Sequence, residues 1–194
     1  MTWLLSLLVN HSDVLTIAQS ELDNHVGNQR RVQESDHRHL EYHKAIGKET
    51  LRLYPPGPLS LPHKSMEDCT FSGRSVRKGT WLIVNMSKIQ YDPRVWSDPD
   101  EFRPDRFLAT HKDIELRAQD FELIPFGSGR RMCPGVNFAL RVMHLTLATL
   151  LHGFDFVRPG CKPVDMTEGI GLIVPRATPL DVLLSPRLPP HLYG

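Results

Sequence analysis

The sequence contains few cysteines, almost no net charge and no long apolar run. Its three cysteines, Cys69, Cys133 and Cys161, are far apart and odd in number, so neither a disulfide framework nor a C-x-x-C zinc site is indicated. Lysine and arginine together number 23 against 22 acidic residues, which gives no basic field for a nucleic-acid partner. The apolar run at residues 3–9 is interrupted by Ser6, is far too short to span a bilayer, and lacks the flanks of a signal peptide.

The remaining composition is that of an ordinary globular domain. The chain has 194 residues, of which 40% are apolar and 23% charged, enough for a single domain with its own core. Sixteen prolines are many for this length, and they cluster between the periodic segments. They therefore predict a long irregular path between the helices and strands.

Apolar periodicity predicts three helices in the first third of the chain. Residues 1–10 are apolar nearly all round, as in a buried helix, and residues 12–26 carry one apolar face followed by a glycine. A third helix is predicted over 36–54, and it must end there because Pro55 and Pro56 cannot continue it.

Short strands are predicted in the rest of the chain. Residues 69–85 are typical of a hairpin forming a small sheet, followed by one helical turn at 86–91. A terminal hairpin is predicted in which 180–184 pairs antiparallel with 164–174. The fold class is therefore mainly α with small antiparallel β-sheets, in one domain over 1–194.

The stretch PFGSGRRMCPG at residues 125–135 offers one thiol from a glycine-rich loop at the start of a helix. Apolar residues at helical spacing over 136–151 predict that helix, with Pro134 at its first position. The positive end of a helix and unpaired backbone N–H groups stabilise a thiolate that binds iron. The loop fits the pattern F-x-x-G-x-R-x-C-x-G, whose fixed positions are Phe126, Gly129, Arg131, Cys133 and Gly135.

Each part of this loop suits a haem ligand. Phe126 can cover the ligand, and Arg131 is suitably placed to pair with a haem propionate through two charge-assisted bonds. The alternative is that Cys133 is an inert buried thiol. The backbone can lie close to a flat cofactor at three glycines, Gly127, Gly129 and Gly135.

This loop resembles the cysteine-ligand loop of the cytochromes P-450, the haem-thiolate monooxygenases, and is closest to the plant microsomal type. The resemblance implies a haem whose iron is bound by Cys133, and a lipophilic small-molecule substrate of plant specialised metabolism. It also implies an NADPH-dependent reductase as electron donor and a location at the cytosolic face of the endoplasmic reticulum membrane.

The resemblance matches only the carboxyl-terminal portion of the cytochrome P-450 fold, less than half of such a protein. It implies that the membrane anchor and the distal helix, with the acid and threonine that help protonate dioxygen, lie outside these residues. No catalytic proton-delivery residue is therefore assigned in 1–194, and the chain alone is expected to be inactive. The apolar residues of the first helix are expected to be partly exposed, namely Trp3, Leu4, Leu7 and Leu8.

Two further motifs gain meaning from the resemblance. Glu49 and Arg52 of ETLR lie three residues apart on the predicted third helix, a spacing that alone would indicate only a surface pair. Because the same cytochromes join this pair to an arginine in a P-x-R-F segment, Arg106 of PDRF is implied as the third member of a buried structural network.

The resemblance also implies residues around the cofactor and substrate. His63 matches a position that hydrogen-bonds a haem propionate, with a solvent-facing loop histidine as the alternative. The tip of the terminal hairpin is implied to contact substrate, and the alternative is a core hairpin tip. The candidate pocket residues are Leu59, Ser60, Leu61, Ile170, Gly171 and Leu172.

Three other interpretations remain open. The chain is alternatively a non-catalytic truncated or decayed fragment, or a haem-thiolate isomerase that acts on peroxides without dioxygen or a reductase. His39 and His43 have the i, i+4 spacing of a metal site, although no third ligand is evident.

Overall fold

The computed structural model describes residues 1–116 and 120–193. Within them the α-helices are α1 Thr2–Asn10, α2 Ser12–His25, α3 Glu41–Leu53, α4 Met86–Gln90 and α5 Val136–Gly153. The strands are β1 His63–Lys64, β2 Cys69–Phe71, β3 Arg74–Val76, β4 Trp81–Leu82, β5 Phe154–Val157 and β6 Leu183–Pro186. They form three two-stranded antiparallel sheets, β1–β4, β2–β3 and β5–β6. The fold class predicted from the sequence is confirmed.

The main core lies where α1, α2, α3 and α5 meet. The apolar face of each helix supplies fully buried side chains to this core, including Leu8, Leu22, Ile46 and Leu147. Burying a large aliphatic side chain contributes about 1.5–3 kcal/mol, so these contacts hold the four helices together. None of the described helices combines the length and the apolar character that crossing a membrane requires.

The first helix is covered, contrary to expectation. Leu4, Leu7 and Leu8 are 1%, 4% and 0% exposed, because they belong to the core shared with α2 and α3. Of the four residues expected to be exposed, Trp3 alone is half-buried. The prediction of partly exposed leucines is therefore wrong.

The third helix begins later than predicted. Residues Glu34–His39 form a 3-10 turn instead, and α3 starts at Glu41 after Leu40, whose backbone is not helical. The Asp36 carboxylate accepts the Gln33 backbone N–H at 2.8 Å and pairs with Arg30 at 2.7 Å. Asp36 thus caps the turn locally, as short polar side chains do in competition with an α-helix.

Two predicted strand pairings are also wrong. Strand β4 pairs with β1, in register His63↔Leu82, rather than extending the β2–β3 hairpin. Strand β6 pairs with β5 and not with residues 164–174. Those residues, which follow β5, fold back on themselves, and Gly169 N–H donates to Pro175 O at 2.8 Å. Because β5 leaves α5 directly, its backbone groups needed a partner strand, and β6 supplies it.

Arg187, just after β6, closes the carboxyl-terminal end of α5. Its backbone N–H donates to Gly153 O at 2.9 Å, and its Nη1 donates to Leu151 O at 2.7 Å. Its guanidinium also pairs with Asp23 of α2 at 2.8 Å and with Asp155 of β5 at 3.2 Å. The last carbonyl groups of a helix lack partners within the helix, and Arg187 satisfies them from a distant part of the sequence.

The contact between α3 and α5 depends on a glycine. A Cβ at Gly47 would lie 2.8 Å from His144 Cε1 and 2.8 Å from Met143 Cε, too close without displacement of those side chains. The His144 ring is buried against the α3 backbone and stacks on His37, with ring centroids 4.5 Å apart. Burial, with a smaller contribution from the nearby His37 and His43, lowers the pKa of His144 to about 3.

The buried His144 predicts a pH-dependent stability. The pKa of this imidazole is about 3 in the folded chain and 6.5 in its ordinary state, so the unfolded chain binds more protons between these values. Its contribution is complete above about pH 6.5 and is lost as the pH falls toward 3. Urea denaturation at pH 7 and pH 4 should therefore show a smaller loss of unfolding free energy for His144→Leu than for the wild-type chain.

The exposed His191 provides the control for this experiment. The variant His191→Leu should lose as much stability between the two pH values as the wild-type chain. If His144→Leu behaves in the same way as His191→Leu, the buried imidazole is not the source of the pH dependence.

Candidate haem-binding site

The loop at residues 125–135 closes on itself through backbone hydrogen bonds. Gly127 N–H donates to Ile124 O at 2.9 Å, and Cys133 N–H donates to Phe126 O at 2.9 Å. Residues Gly129–Arg131 form a 3-10 turn between these two bonds. The half-buried Cys133 is thus held in a preformed turn immediately before α5.

The thiol of Cys133 lies near the amino-terminal end of α5. The helix begins at Val136 with Gly135 as its N-cap residue, so Pro134 precedes the helix and does not occupy the first helical position that the sequence predicted. A Cβ at Gly135 would lie 3.8 Å from Cys133 Sγ, which places the sulfur close to the cap. The first backbone N–H groups of a helix have no carbonyl partner within it, so they lie close to the sulfur and can donate to it.

One side of the loop is open. Gly127 and Gly129 have φ values of 73° and 67°, in the left-handed region that favours glycine. Among the described residues, apart from the adjacent ones in the chain, no atom lies within 4 Å of a Cβ built at either position. The loop therefore combines a sulfur donor, a helix amino terminus and free space beside its backbone, and these residues fit a thiolate-ligated haem.

The loop is anchored through a second core. Phe126 is partly buried and packs against a cluster that contains Trp96, Phe107 and Leu123. This contact fixes the start of the loop. The predicted role of Phe126 as a cover for the ligand stays a prediction.

The two residues predicted to bind the haem propionates are both exposed at the surface. Arg131 is exposed at the end of the 3-10 turn, and His63 is exposed in β1 opposite Leu82. Both side chains are free to turn toward an anionic group. Their assignment to the haem propionates stays a prediction.

The candidate pocket residues form exposed apolar surface. Leu59 and Leu61 are 52% and 69% exposed, and Ile170 and Leu172 are 105% and 63% exposed. The interpretation of 170–172 as a core hairpin tip is therefore wrong.

Two of the candidate pocket residues shape the backbone instead of presenting an apolar surface. The Ser60 hydroxyl is buried and accepts the Val84 N–H at 3.2 Å, with the Ser60 backbone at φ 56°. A Cβ at Gly171 would lie 2.8 Å from Ile173 O. These two residues set the turns that display their apolar neighbours.

The histidine pair considered as a metal site is not brought together. The buried His43 ring binds Glu21 through Nδ1 at 2.7 Å, whereas His39 stacks on His25 with ring centroids 6.2 Å apart. The Glu21 carboxylate also accepts the backbone N–H groups of Tyr42 and His43 at the start of α3. In residues 1–116 and 120–193, no three histidine, cysteine or acidic side chains are arranged to hold a metal ion.

The structure brings Glu49, Arg52 and Arg106 into one buried network. Their exposed fractions are 0%, 0% and 5%. Arg52 donates to Glu49 through Nε at 2.8 Å and Nη2 at 2.9 Å, and Arg106 Nε donates to Glu49 Oε1 at 3.1 Å. The same oxygen accepts the backbone N–H of Arg103 at 3.0 Å.

The remaining N–H groups of the two arginines bind backbone carbonyls. Arg52 Nη1 donates to Gln90 O at 2.9 Å and Pro99 O at 2.8 Å, and Arg106 Nη1 donates to Ser97 O at 2.8 Å. Burial lowers the pKa of Arg106, while the Glu49 charge opposes that shift. One carboxylate and several carbonyl dipoles therefore hold two buried cations, and they tie α3 to the segment before the loop.

Two buried residues that the sequence did not indicate complete this region. The Gln90 amide donates to Leu51 O at 3.0 Å and Arg52 O at 2.8 Å, which satisfies carbonyls of the last turn of α3. The fully buried Trp96 ring lies 5.4 Å from the Arg52 guanidinium carbon. Gln90 sits in a one-turn helix and Trp96 in a turn-rich stretch, so no periodic pattern indicated their burial.

Comparison with known proteins identifies the fold that carries this loop and this network. The family model described as Cytochrome P450 matches residues 1–182. The chain belongs to the cytochrome P450 family.

Several plant cytochromes P450 are similar to the chain. It is 60% identical over 192 residues to a flavonoid-6-hydroxylase of Ocimum basilicum, covering 99% of this chain and 36% of that protein. It is 54% identical over 189 residues to a vinorine hydroxylase of Rauvolfia serpentina, covering 97% of this chain and 39% of that protein. The chain thus spans well under half the length of these P450 relatives.

A solved P450 structure has the same arrangement. A zebrafish cytochrome P450 determined with abiraterone matches with a TM-score of 0.85 and 32% sequence identity, over 95% of this chain and 42% of that chain. The described residues therefore adopt part of the cytochrome P450 fold.

The network predicts a large loss of stability on removal of its carboxylate. In Glu49→Gln two buried guanidinium groups would lose their counter-charge, and breaking a buried pair in this way costs about 3–5 kcal/mol. Urea denaturation at pH 7 measures this loss.

The exposed pair of Arg103 with Asp98, 2.6 Å apart, provides a matched control. Asp98→Asn removes a surface carboxylate from an arginine and should change the unfolding free energy by less than about 1 kcal/mol. Equal losses in Glu49→Gln and Asp98→Asn would contradict the assigned role of the network.

Proposed function

We propose that this chain forms the haem-thiolate part of a plant monooxygenase that hydroxylates a lipophilic small molecule. The single observation that carries the proposal is the position of Cys133, in a preformed glycine-rich loop with its sulfur near the amino terminus of α5. The hydroxylase names of the plant relatives support the reaction class. Haem bound at this loop supplies the activation of dioxygen, with electrons from an NADPH-dependent reductase.

The proposal gives a role to each of seven residues around the haem. Cys133 binds the haem iron as a thiolate, and the dipole of α5 favours its charge. Arg131 and His63 orient the cofactor by pairing with its propionates. Phe126 shields the sulfur, and Gly127, Gly129 and Gly135 let the backbone lie close to the ring.

The substrate meets the apolar surfaces described above. Leu59, Leu61, Ile170 and Leu172 offer exposed aliphatic area that a lipophilic molecule covers favourably. Glu49, Arg52 and Arg106 act at a distance, because they fix the segment that precedes the loop. The proposed enzyme works at the cytosolic face of the endoplasmic reticulum membrane.

A non-catalytic role of the isolated chain is the second candidate, and the exposure of Ile170 favours it. Within the described residues, the segments 59–61 and 170–172 form open surface and do not enclose a substrate. Affinity and orientation need a concave site that excludes water. The isolated chain is therefore proposed to bind haem without turning over substrate.

The ligand assignment predicts a spectroscopic difference between two cysteine variants. The chain reconstituted with haem, reduced and exposed to carbon monoxide should show the red-shifted Soret band of thiolate ligation. Cys133→Ser should abolish this band because the donor atom is lost. Cys69→Ser, which changes the exposed thiol in β2, should retain it. Retention of the band in Cys133→Ser would show that another group binds the iron.

The open surface predicts an absence of turnover. With haem, a plant reductase, NADPH and a panel of lipophilic substrates, the isolated chain should yield no sustained product. The full-length basil flavonoid-6-hydroxylase, assayed with the same reductase, serves as the positive control. Product formation by the isolated chain in proportion to NADPH consumption would refute the non-catalytic role.

A further inference from the structure

A crevice of about 220 Å³ lies where α1 meets the carboxyl-terminal end of α3. Three aromatic side chains line it, those of Trp3, Tyr54 and Tyr91, and Glu168 lies at its edge. The crevice is formed by elements other than the ligand loop, so none of its contacts belongs to the haem site described above.

The polar groups of two of these three aromatic residues bind the protein itself. Trp3 Nε1 donates to Val174 O at 3.0 Å, and the Tyr91 hydroxyl donates to Leu53 O at 2.8 Å. The Trp3 and Tyr54 rings stack with centroids 4.0 Å apart and planes within 10° of each other. The wall is therefore held in a fixed geometry. The stack leaves one π face each of Trp3 and Tyr54 outside the pair, whereas the Tyr91 ring already has the Arg52 guanidinium carbon 5.5 Å from its centroid.

The Glu168 carboxylate brings a negative charge to the crevice. Among the ion pairs between described residues, none includes Glu168. Arg176 pairs with Glu168 through the backbone, but its Nη2 donates to Asp165 O at 2.7 Å. Burial raises the pKa of Tyr54, and the Glu168 charge raises it further, so the field of the carboxylate reaches the aromatic wall.

We propose that this crevice binds a small organic cation, an ammonium group that carries methyl or other alkyl substituents. Such a cation is attracted to aromatic rings within about 6 Å, and the attraction increases when the cation is partly desolvated. Its methyl groups fill the apolar part of the crevice, while Glu168 balances its charge. The volume accommodates a group of the size of trimethylammonium.

Other ligand classes fit this crevice less well. An anion would be repelled by Glu168. A divalent metal ion such as Ca²⁺ takes six to eight oxygen ligands, whereas one carboxylate lines the crevice among the described residues. A neutral molecule would gain nothing from the carboxylate. The combination of rings and one negative charge therefore favours an alkylated ammonium.

The crevice lies beside the segments proposed to meet substrate. Pro58 lines it immediately before 59–61, and Glu168 and Val174 line it on either side of 170–172. The cation site nevertheless requires neither haem nor turnover. Its test is therefore independent of the proposed monooxygenase function.

The test compares choline with its neutral isostere 3,3-dimethyl-1-butanol. Each compound is titrated into the 194-residue chain, and the indole N–H resonance of Trp3 is followed by NMR. Choline should shift this resonance saturably, and the neutral isostere should bind at least ten-fold more weakly. Raising the salt concentration should weaken choline binding, because the Glu168 charge at the edge of the crevice is screened.

Two variants locate the interaction. Glu168→Gln keeps the shape of the side chain but removes its charge, and should weaken choline binding about five-fold and remove most of its salt dependence. Glu122→Gln, which changes an exposed carboxylate elsewhere, should bind choline like the wild-type chain. Tyr54→Leu should weaken choline binding even with Glu168 intact, because one face of the aromatic wall is lost.

Three results would overturn the proposal. The first is equal binding of choline and 3,3-dimethyl-1-butanol, which would indicate an apolar crevice without charge selectivity. The second is unchanged choline affinity in Glu168→Gln, and the third is no saturable shift of the Trp3 resonance. Circular dichroism of each variant shows that the fold is kept, so that a lost signal reports on the site.

Discussion

The sharing of one buried carboxylate by two guanidinium groups is the constraint on which the rest of this structure depends. Glu49 is fully buried, and both Arg52 and Arg106 donate to it. The excess positive charge is offset by backbone carbonyls of residues 90 and 97–101. Since these segments have little regular structure, the arginines replace the ladder hydrogen bonds that would otherwise hold them. The Phe107 ring, next to Arg106, then packs in the same cluster as Phe126 of the ligand loop.

Helix α3 connects this network to α5. One part of its surface carries Glu49 and Arg52, and another, at Gly47, receives the buried His144 ring. A glycine inside a helix costs about 1 kcal/mol relative to alanine, and here it allows α5 to lie directly on the α3 backbone. Both helices therefore support the cysteine loop, α3 through the second core and α5 through direct chain continuity.

Sequence patterns predicted the parts of the fold that are determined locally. The bounds of α1 and α2 and the end of α3 follow from apolar periodicity, a glycine and two prolines, and the hairpin Cys69–Phe71 with Arg74–Val76 follows from its turn residues. The failures concern choices between partners. Nothing in the sequence of β6 distinguishes pairing with β5 from pairing with 164–174, and the Asp36 cap that delays α3 involves Arg30 six residues earlier. The crevice beside Trp3 joins residues 171 positions apart, so no local pattern indicates it.

Because Arg187 closes the end of α5, this helix is completed late when the chain folds during its synthesis on the ribosome. The carbonyl of Leu151 receives one donor from a residue 36 positions later in the sequence. Because chains fold from the amino terminus as they are synthesised, α5 and the cysteine loop before it emerge when this carbonyl can bind Gln19 Nε2, at 3.3 Å, but still lacks Arg187. Nascent chains that have not yet reached residue 187 therefore hold the cysteine before a helix whose far end is only partly closed. The cysteine loop and α5 therefore gain their full set of contacts only after residue 187 has been synthesised.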